Sequence, residues 1–231
     1  MTLPPLRPCL LSGGESRRMG RDKALLPHPE GGTWRRRSLV LLQCLGEPVS
    51  LLSRHPAHQA LAQTLGVIAI AEPPPWDGPL RALARLMAHY PEARLLLCPV
   101  DMPHLDGASL RALVAASDAD PATIHLAHDG ERLQPLLAVV PSPAPWRDQL
   151  TAAVDRGERR LQHWLTAMPH RLLPLDPHAI RNVNHPEEVQ EAVQSAGPAS
   201  CATLDAQRSN SASTSASSSA LGAGNRNGPS S

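Results

Sequence analysis

Short apolar runs alternate with stretches of helical periodicity along most of this chain, and that alternation decides its fold class. The runs occupy residues 8–11, 49–52, 67–71, 95–100, 123–127, 136–140 and 172–175. Each is four to six residues long and bounded by Gly, Pro or polar residues, as buried strands are. Between them, residues 38–45, 56–65, 79–89, 109–116, 146–154 and 160–168 carry helical patterns; in 79–89 the apolar positions are Leu80, Leu83, Leu86 and Met87. A last helix is expected over 186–193, with Pro186 in its first turn, Glu187 and Glu188 behind it, and Asn184 or His185 as its cap. Strand and helix in alternation require parallel strands joined by crossover helices. The expected fold is therefore α/β: three layers, Rossmann-like, around an open and mostly parallel sheet.

The 231 residues suffice for one such domain, read here as residues 1–194. Residues 195–231 stand apart, with 11 Ser, three charged residues and only Leu204 and Leu221 as large aliphatics. That composition buries too little apolar area to offset the entropy of ordering, so a disordered tail is expected. Aromatic residues make up 2% of the chain and Phe is absent, so the core must be built from Leu, Val, Ile, Ala and Met.

A net charge of +1 argues against a nucleic-acid coat, but Met1 to Val40 holds eight Arg and Lys against three Asp and Glu. Such a local excess suits a small polyanion. Cys9, Cys44, Cys98 and Cys201 have no CxxC spacing, and Cys9 and Cys98 sit in apolar runs. A disulfide framework is not expected, and a reducing cytoplasm fits best. No apolar run approaches the roughly 18 residues of a membrane span, and the N-terminus lacks the order of a signal peptide. Neither a nucleic acid nor a membrane is expected as a partner.

Ligands of open parallel sheets bind beyond the carboxyl ends of the strands, and the chemistry-bearing residues follow the apolar runs. After the first come Ser12, Gly13 and Gly14, then Arg17, Arg18, Gly20 and Lys23, the only lysine in the chain. Glycines let backbone N–H groups approach phosphate oxygens, and the cations add charge. The spacing matches neither a Walker loop nor a dinucleotide fingerprint. After the fourth run, Asp101 ends an apolar strand in a stretch flanked by Pro99 and Pro103. It either caps a backbone N–H or binds a hard cation such as Mg²⁺. After the third come Glu72, three prolines, Trp76 and Gly78-Pro79-Leu80, a rigid binding loop in which Trp76 stacks on a ligand or packs the loop. Asn182 and Asn184 follow the seventh; one explains a helix cap and the other is left to read a ring edge. Arg35-Arg36-Arg37 reads as a solvated face, and Arg156, Arg159 and Arg160 surround a Gly-Glu turn as a surface cluster or a second phosphate site. The histidines form no ligand set, His55 and His58 being joined by no carboxylate or Cys in sequence, and no Gly-x-Ser-x-Gly elbow is present.

Together these motifs bear a resemblance. LSGGESRRMGRDKALLP at 11–27 is similar to the L-A-G-G-x-x-x-R-M-G-x-x-K signature of nucleotidyltransferases that activate molybdenum cofactor. CPVDMP at 98–103, GPL at 78–80, DGERLQPLLAVV at 129–140, GERR at 157–160 and NVNHPEE at 182–188 resemble further segments of the molybdenum cofactor guanylyltransferases, the MobA family. The resemblance implies a nucleotidyltransferase fold and transfer of GMP from GTP to molybdenum–molybdopterin, with loss of pyrophosphate. It implies that Leu11, Ser12, Gly13, Gly14 and Lys23 bind GTP, that Glu72 and Gly78 belong to the nucleotide site, and that Asp101 holds Mg²⁺. Arg17 would contact the β- and γ-phosphates, while Asn182 and Asn184, with Arg156 or Arg159, would face the pterin. Lys23, Asp101 and Arg17 would carry the catalysis. Transient contact with molybdenum insertion factors or apo-molybdoenzymes is a further implication. The chain departs from the family pattern at Ser12, usually Ala, at Leu51-Leu52-Ser53, where Asn is common, and at Glu72, usually Asp. Alternative readings are a transferase using CTP or a sugar phosphate, and a GTP-binding adaptor that delivers cofactor without chemistry.

Overall fold

The computed structural model describes residues 2–14, 22–28, 31–184 and 188. The tail and all of the expected last helix except Glu188 lie outside the described residues, as does Arg17.

Every expected apolar run is a strand. The strands are β1 (Leu6–Leu11), β2 (Ser50–Ser53), β3 (Ile68–Ala71), β4 (Arg94–Pro99), β5 (Ile124–His128), β6 (Leu133–Pro141) and β7 (His170–Pro174). The helices between them are α1 (Trp34–Gln43), α2 (Pro56–Thr64), α3 (Pro79–His89), α4 (Gly107–Ala119), α5 (Ala144–Asp155) and α6 (Leu161–Ala167). One sheet holds the seven strands in the order β3-β2-β1-β4-β6-β5-β7. Its neighbours pair in parallel except at β6, which runs antiparallel to β4 and β5. The cause is local: Oδ1 of Asp129 accepts from the backbone N–H groups of Glu131 and Arg132, which closes a turn too short for a crossover.

Alternate residues of the central strands feed two cores. Cys9, Leu52, Leu95, Leu97, Ala138 and Val140 pack with Leu83 and Leu86 of α3, Leu150 of α5 and Leu165 of α6. Their neighbours Leu10, Leu51, Leu96, Cys98, Leu137 and Val139 pack with Leu39 of α1, Ala62 of α2 and Leu110 of α4. The sheet is thus covered on both faces, which is why its strands read as continuous apolar runs.

Two expectations need correction. Arg35 is 3% exposed, and Arg37 Nη1 donates to the Leu105 carbonyl at 2.9 Å, so the arginine triplet is not a solvated face. The helix begins earlier than its apolar pattern suggests, because Thr33 Oγ1 caps it by accepting from Arg36 N. Cys9 and Cys98 are buried and free, as their place in apolar runs suggests.

From β1 the chain moves outward through β2 to β3, then returns through α3 to β4 on the other side of β1. The strand order reverses there, and a crevice opens beyond the carboxyl ends of β1 and β4.

Candidate active site

The end of β1 forms one wall. Ser12 N donates to the Leu52 carbonyl at 3.1 Å, which extends the pairing with β2 and delivers Gly13 and Gly14 to the crevice. The chain then re-enters the described region at Asp22, whose Oδ1 accepts from Ala24 N at 2.9 Å and so starts a 3₁₀ turn, Lys23–Leu25. Leu26 anchors the turn from beneath by packing with Trp34 and Val183. Lys23 Nζ consequently reaches across to the end of β4. It lies 3.5 Å from Asp101 Oδ2 and donates to Asn184 Oδ1 at 2.7 Å.

Asp101 and the asparagine segment are built together. Val183 N donates to the Asp101 carbonyl at 2.9 Å while the Val183 side chain is buried, which fixes the residues on either side of it. Asn184 faces Lys23, and Asn182 Nδ2 donates to Gln134 Oε1 at 2.6 Å. Burial pushes the Asp101 carboxyl above the usual aspartate range, with the Lys23 charge opposing the shift. Lys23 favours the charged form, and a hard divalent cation at this carboxylate would favour it further. Among the described residues no group of three His, Cys, Asp or Glu side chains is arranged to hold a metal. The Asp101 carboxylate therefore fits a divalent cation that brings most of its own ligands rather than a metal caged by protein.

The third wall follows β3. Glu72 N donates to the Ser53 carbonyl at 3.1 Å, and Glu72 Oε1 accepts from Arg85 Nη1 at 2.9 Å. Its other oxygen lies over Gly13, so closely that a Cβ there would collide with it. A side chain at 13 would therefore have to displace the Glu72 carboxylate that Arg85 holds. Gly78, at φ +91°, precedes Pro79 at the start of α3. Trp76 is 51% exposed, donates from Nε1 to the Glu72 carbonyl, and carries the Arg54 guanidinium 4.9 Å from its ring centre.

A cavity of about 400 Å³ lies between these walls. It brings together Leu11, Ser12, Gly13, Gly14, Lys23, Glu72, Gly78 and Asp101 from the sequence expectation. Asn184 joins them through Lys23, and Asn182 stands two residues away on the same pinned segment. Arg156 and Arg159 do not line the cavity; both are exposed on the turn after α5, and only the backbone carbonyl of Arg159 comes near Gly78. The GERR turn approaches the cavity rim with its backbone, while Glu158 Oε1 accepts from the N–H groups of Arg159 and Arg160. Sequence reasoning missed Arg54, Asp22 and His58. Arg54 follows an apolar run as the other site residues do, so the same rule would have found it. His58 and Asp22 are 36 residues apart in sequence, and only the fold joins them.

A three-layer α/β sandwich with a glycine turn and a lysine facing the Asp101 carboxylate across its strand-reversal crevice has the form of a nucleotidyltransferase. Residues 9–172 match the MobA-like NTP transferase domain, and the chain belongs to that family. It is 37% identical over 195 residues to a probable molybdenum cofactor guanylyltransferase of Rhodopirellula baltica, a match covering 80% of this chain and 90% of that one. Its fold is similar to that of molybdopterin-guanine dinucleotide biosynthesis protein A from Archaeoglobus fulgidus, with a TM-score of 0.65 at 18% identity over 81% of this chain and 97% of that one. It is also similar to a Mycobacterium tuberculosis protein solved in complex with manganese, with a TM-score of 0.58 at 20% identity over 83% of this chain and all of that one.

Proposed function

We infer that this protein transfers GMP from GTP to molybdenum–molybdopterin, releasing pyrophosphate and giving the guanine dinucleotide form of the cofactor. The observation that carries the reading is Lys23 Nζ held between Asn184 Oδ1 and Asp101 Oδ2 at the head of the cavity. In this reading a triphosphate on the glycine turn is cleaved beyond the ends of β1 and β4, beside this compact cation and a carboxylate able to take a metal.

The terminal phosphate oxygen of the pterin attacks the α-phosphorus of GTP, and the bond from that phosphorus to the β-phosphate bridging oxygen breaks. No protein nucleophile is needed, so the catalysis is positioning and neutralisation of charge. Gly13 and Gly14 admit the phosphates to the backbone. Lys23 offsets charge as it moves from the α-phosphate towards the leaving pyrophosphate, with Arg17 assigned to the β- and γ-phosphates. Asp101 would hold Mg²⁺, which supplies charge neutralisation and orientation to the phosphate oxygens when bound. Glu72, Gly78 and the 78–80 turn serve the nucleoside end of the cavity, where Arg54 and Trp76 add a cationic and an aromatic wall. Asn182 and Asn184, with Arg159 at the rim and Arg156 beyond it, are assigned to the pterin side. We place the activity in the cytoplasm; among the described residues no helix is long and apolar enough to cross a membrane.

Nucleotide selectivity tests the reading. Pyrophosphate release should require GTP, Mg²⁺ and molybdopterin together. Equal release with CTP, or with a sugar 1-phosphate as acceptor, would replace this reading by one of a different transferase.

A further inference from the structure

Beneath the glycine turn, four polar side chains from three separate segments meet. Ser12, Ser53 and His58 are 3%, 0% and 2% exposed, and Asp22 closes the group from the lysine turn. His58 Nε2 lies 2.5 Å from Asp22 Oδ2. A carboxylate only accepts, so Nε2 carries the hydrogen. On the other side of the ring, Nδ1 lies 3.1 Å from Ser12 Oγ, 3.0 Å from Ser53 Oγ and 3.0 Å from the Ser12 carbonyl. The Ser53 hydroxyl donates to that same carbonyl at 2.8 Å. In the neutral imidazole Nδ1 is then an acceptor, and the Ser12 hydroxyl is the donor left to fill it.

Burial of the ring favours that neutral state. It pushes the His58 pKa down and the Arg35 charge adds to this, while Asp22 and the Ser12 carbonyl oppose both. Arg35 is itself buried, and among the described residues its Nε and Nη1 have no hydrogen-bond partner. The His55 ring lies 4.7 Å away, beside Arg54.

A buried histidine that satisfies its hydrogen bonds is ordinary; the location of these partners is not. Asp22 uses one oxygen for His58 and the other for Ala24 N, so the carboxylate that grips the ring also starts the turn bearing Lys23. Ser12 stands immediately before Gly13. The imidazole is thus a strut between the glycine turn and the lysine.

We propose that His58 is a positioning residue of the transfer reaction: by holding Asp22 at Nε2 and Ser12 at Nδ1, it fixes Lys23 relative to the glycine turn. The effect on turnover rests on the GTP reading above, whereas the strut itself does not.

Two measurements test this on the full chain. The first is nitrogen-15 NMR of the histidine side chains in the unsubstituted protein near neutral pH. His58 should be the Nε2–H tautomer; the Nδ1–H tautomer would overturn the proposal. The second compares His58→Gln with His58→Asn under saturating Mg²⁺. The Gln amide reaches the Nε2 position and can donate to Asp22, while the shorter Asn amide reaches only the Nδ1 position. His58→Asn should lose about 30-fold in kcat with a much smaller change in KM for GTP, the scale of a small misplacement at a reacting centre, and His58→Gln, which keeps the Asp22 end but not the Ser12 end, should lose only part of that. Combined with Lys23→Met, His58→Asn should cost nothing further, because its effect runs through Lys23. Wild-type kcat in the Asn variant, or independent losses that multiply in the double variant, would overturn the proposal. If the unsubstituted protein turns over no GTP, the functional reading fails, and the tautomer alone decides the strut.

Discussion

Lys23→Met removes the ammonium while keeping the length of the side chain. In the structure that ammonium is 2.7 Å from Asn184 Oδ1 and 3.5 Å from Asp101 Oδ2, with the side chain 12% exposed. A phosphate oxygen brought into the same shell would lie about 4 Å or less from the charge, where unit charges at an effective dielectric of about 20 interact by about 4 kcal/mol. At about 1.4 kcal/mol per factor of ten, the Met variant should lose about 10³ in kcat/KM for GTP. Lys23→Arg retains the charge but replaces a point cation on a flexible stem by a broad planar fork, which must find room beside Asn184 and Asp101. It should keep the fold and GTP binding and lose about 10- to 100-fold in kcat, because the charge is misplaced rather than absent. The assay is steady-state pyrophosphate release with GTP varied at saturating molybdopterin and Mg²⁺, with thermal melts to confirm folding. A Met variant within about threefold of wild type would refute the assignment of Lys23 to the triphosphate, since no effective dielectric in the physical range makes so close a charge so weak.

Other predictions follow from particular contacts. Burial raises the Asp101 pKa, so folding disfavours its charged form relative to the unfolded chain. Its contribution to stability is present below the unfolded-state pKa and is lost as pH rises through the folded-state value. Metal binding requires the charged form, so the Mg²⁺ concentration for half-maximal turnover should rise as pH falls through that raised pKa, and Asp101→Asn should lose turnover at every pH; a Mg²⁺ requirement independent of acid pH would contradict this. Gly13→Ala would drive a Cβ into Glu72 Oε2. It should weaken GTP binding by about tenfold, the scale of an overpacked contact, and Glu72→Asp in the same chain should restore part of the loss, both read by equilibrium titration. Trp76 is half exposed and lines the cavity, whereas Trp34 and Trp164 are buried. GTP should therefore change the intrinsic fluorescence, and Trp76→Phe should remove most of that change.

The fold class was legible because strands covered on both faces read as unbroken apolar runs, and every such run became a strand. The β5–β6 hairpin was less visible, since it depends on Asp129 binding the backbone of its own turn. The site was legible where residues follow a strand directly: Gly13, Gly14, Glu72, Gly78 and Asp101 are each within reach of a strand end or helix start. It was less legible where a residue acts through the fold. Arg156 and Arg159 lie in a motif that comes to the cavity rim by its backbone, so the sequence could not say that their side chains stand outside the lining. The departures at Ser12 and Ser53 have no visible reason in a linear reading; in three dimensions both hydroxyls meet at His58. Arg35, in a run of three arginines, looks solvated until the helix start at Thr33 turns it inward.

The transfer is read directly by incubating the protein with GTP, Mg²⁺ and molybdenum–molybdopterin and determining the mass of the pterin product. A guanine dinucleotide should form in step with pyrophosphate. An unaltered pterin beside bound GTP, or a cytosine dinucleotide formed from CTP in its place, would contradict it.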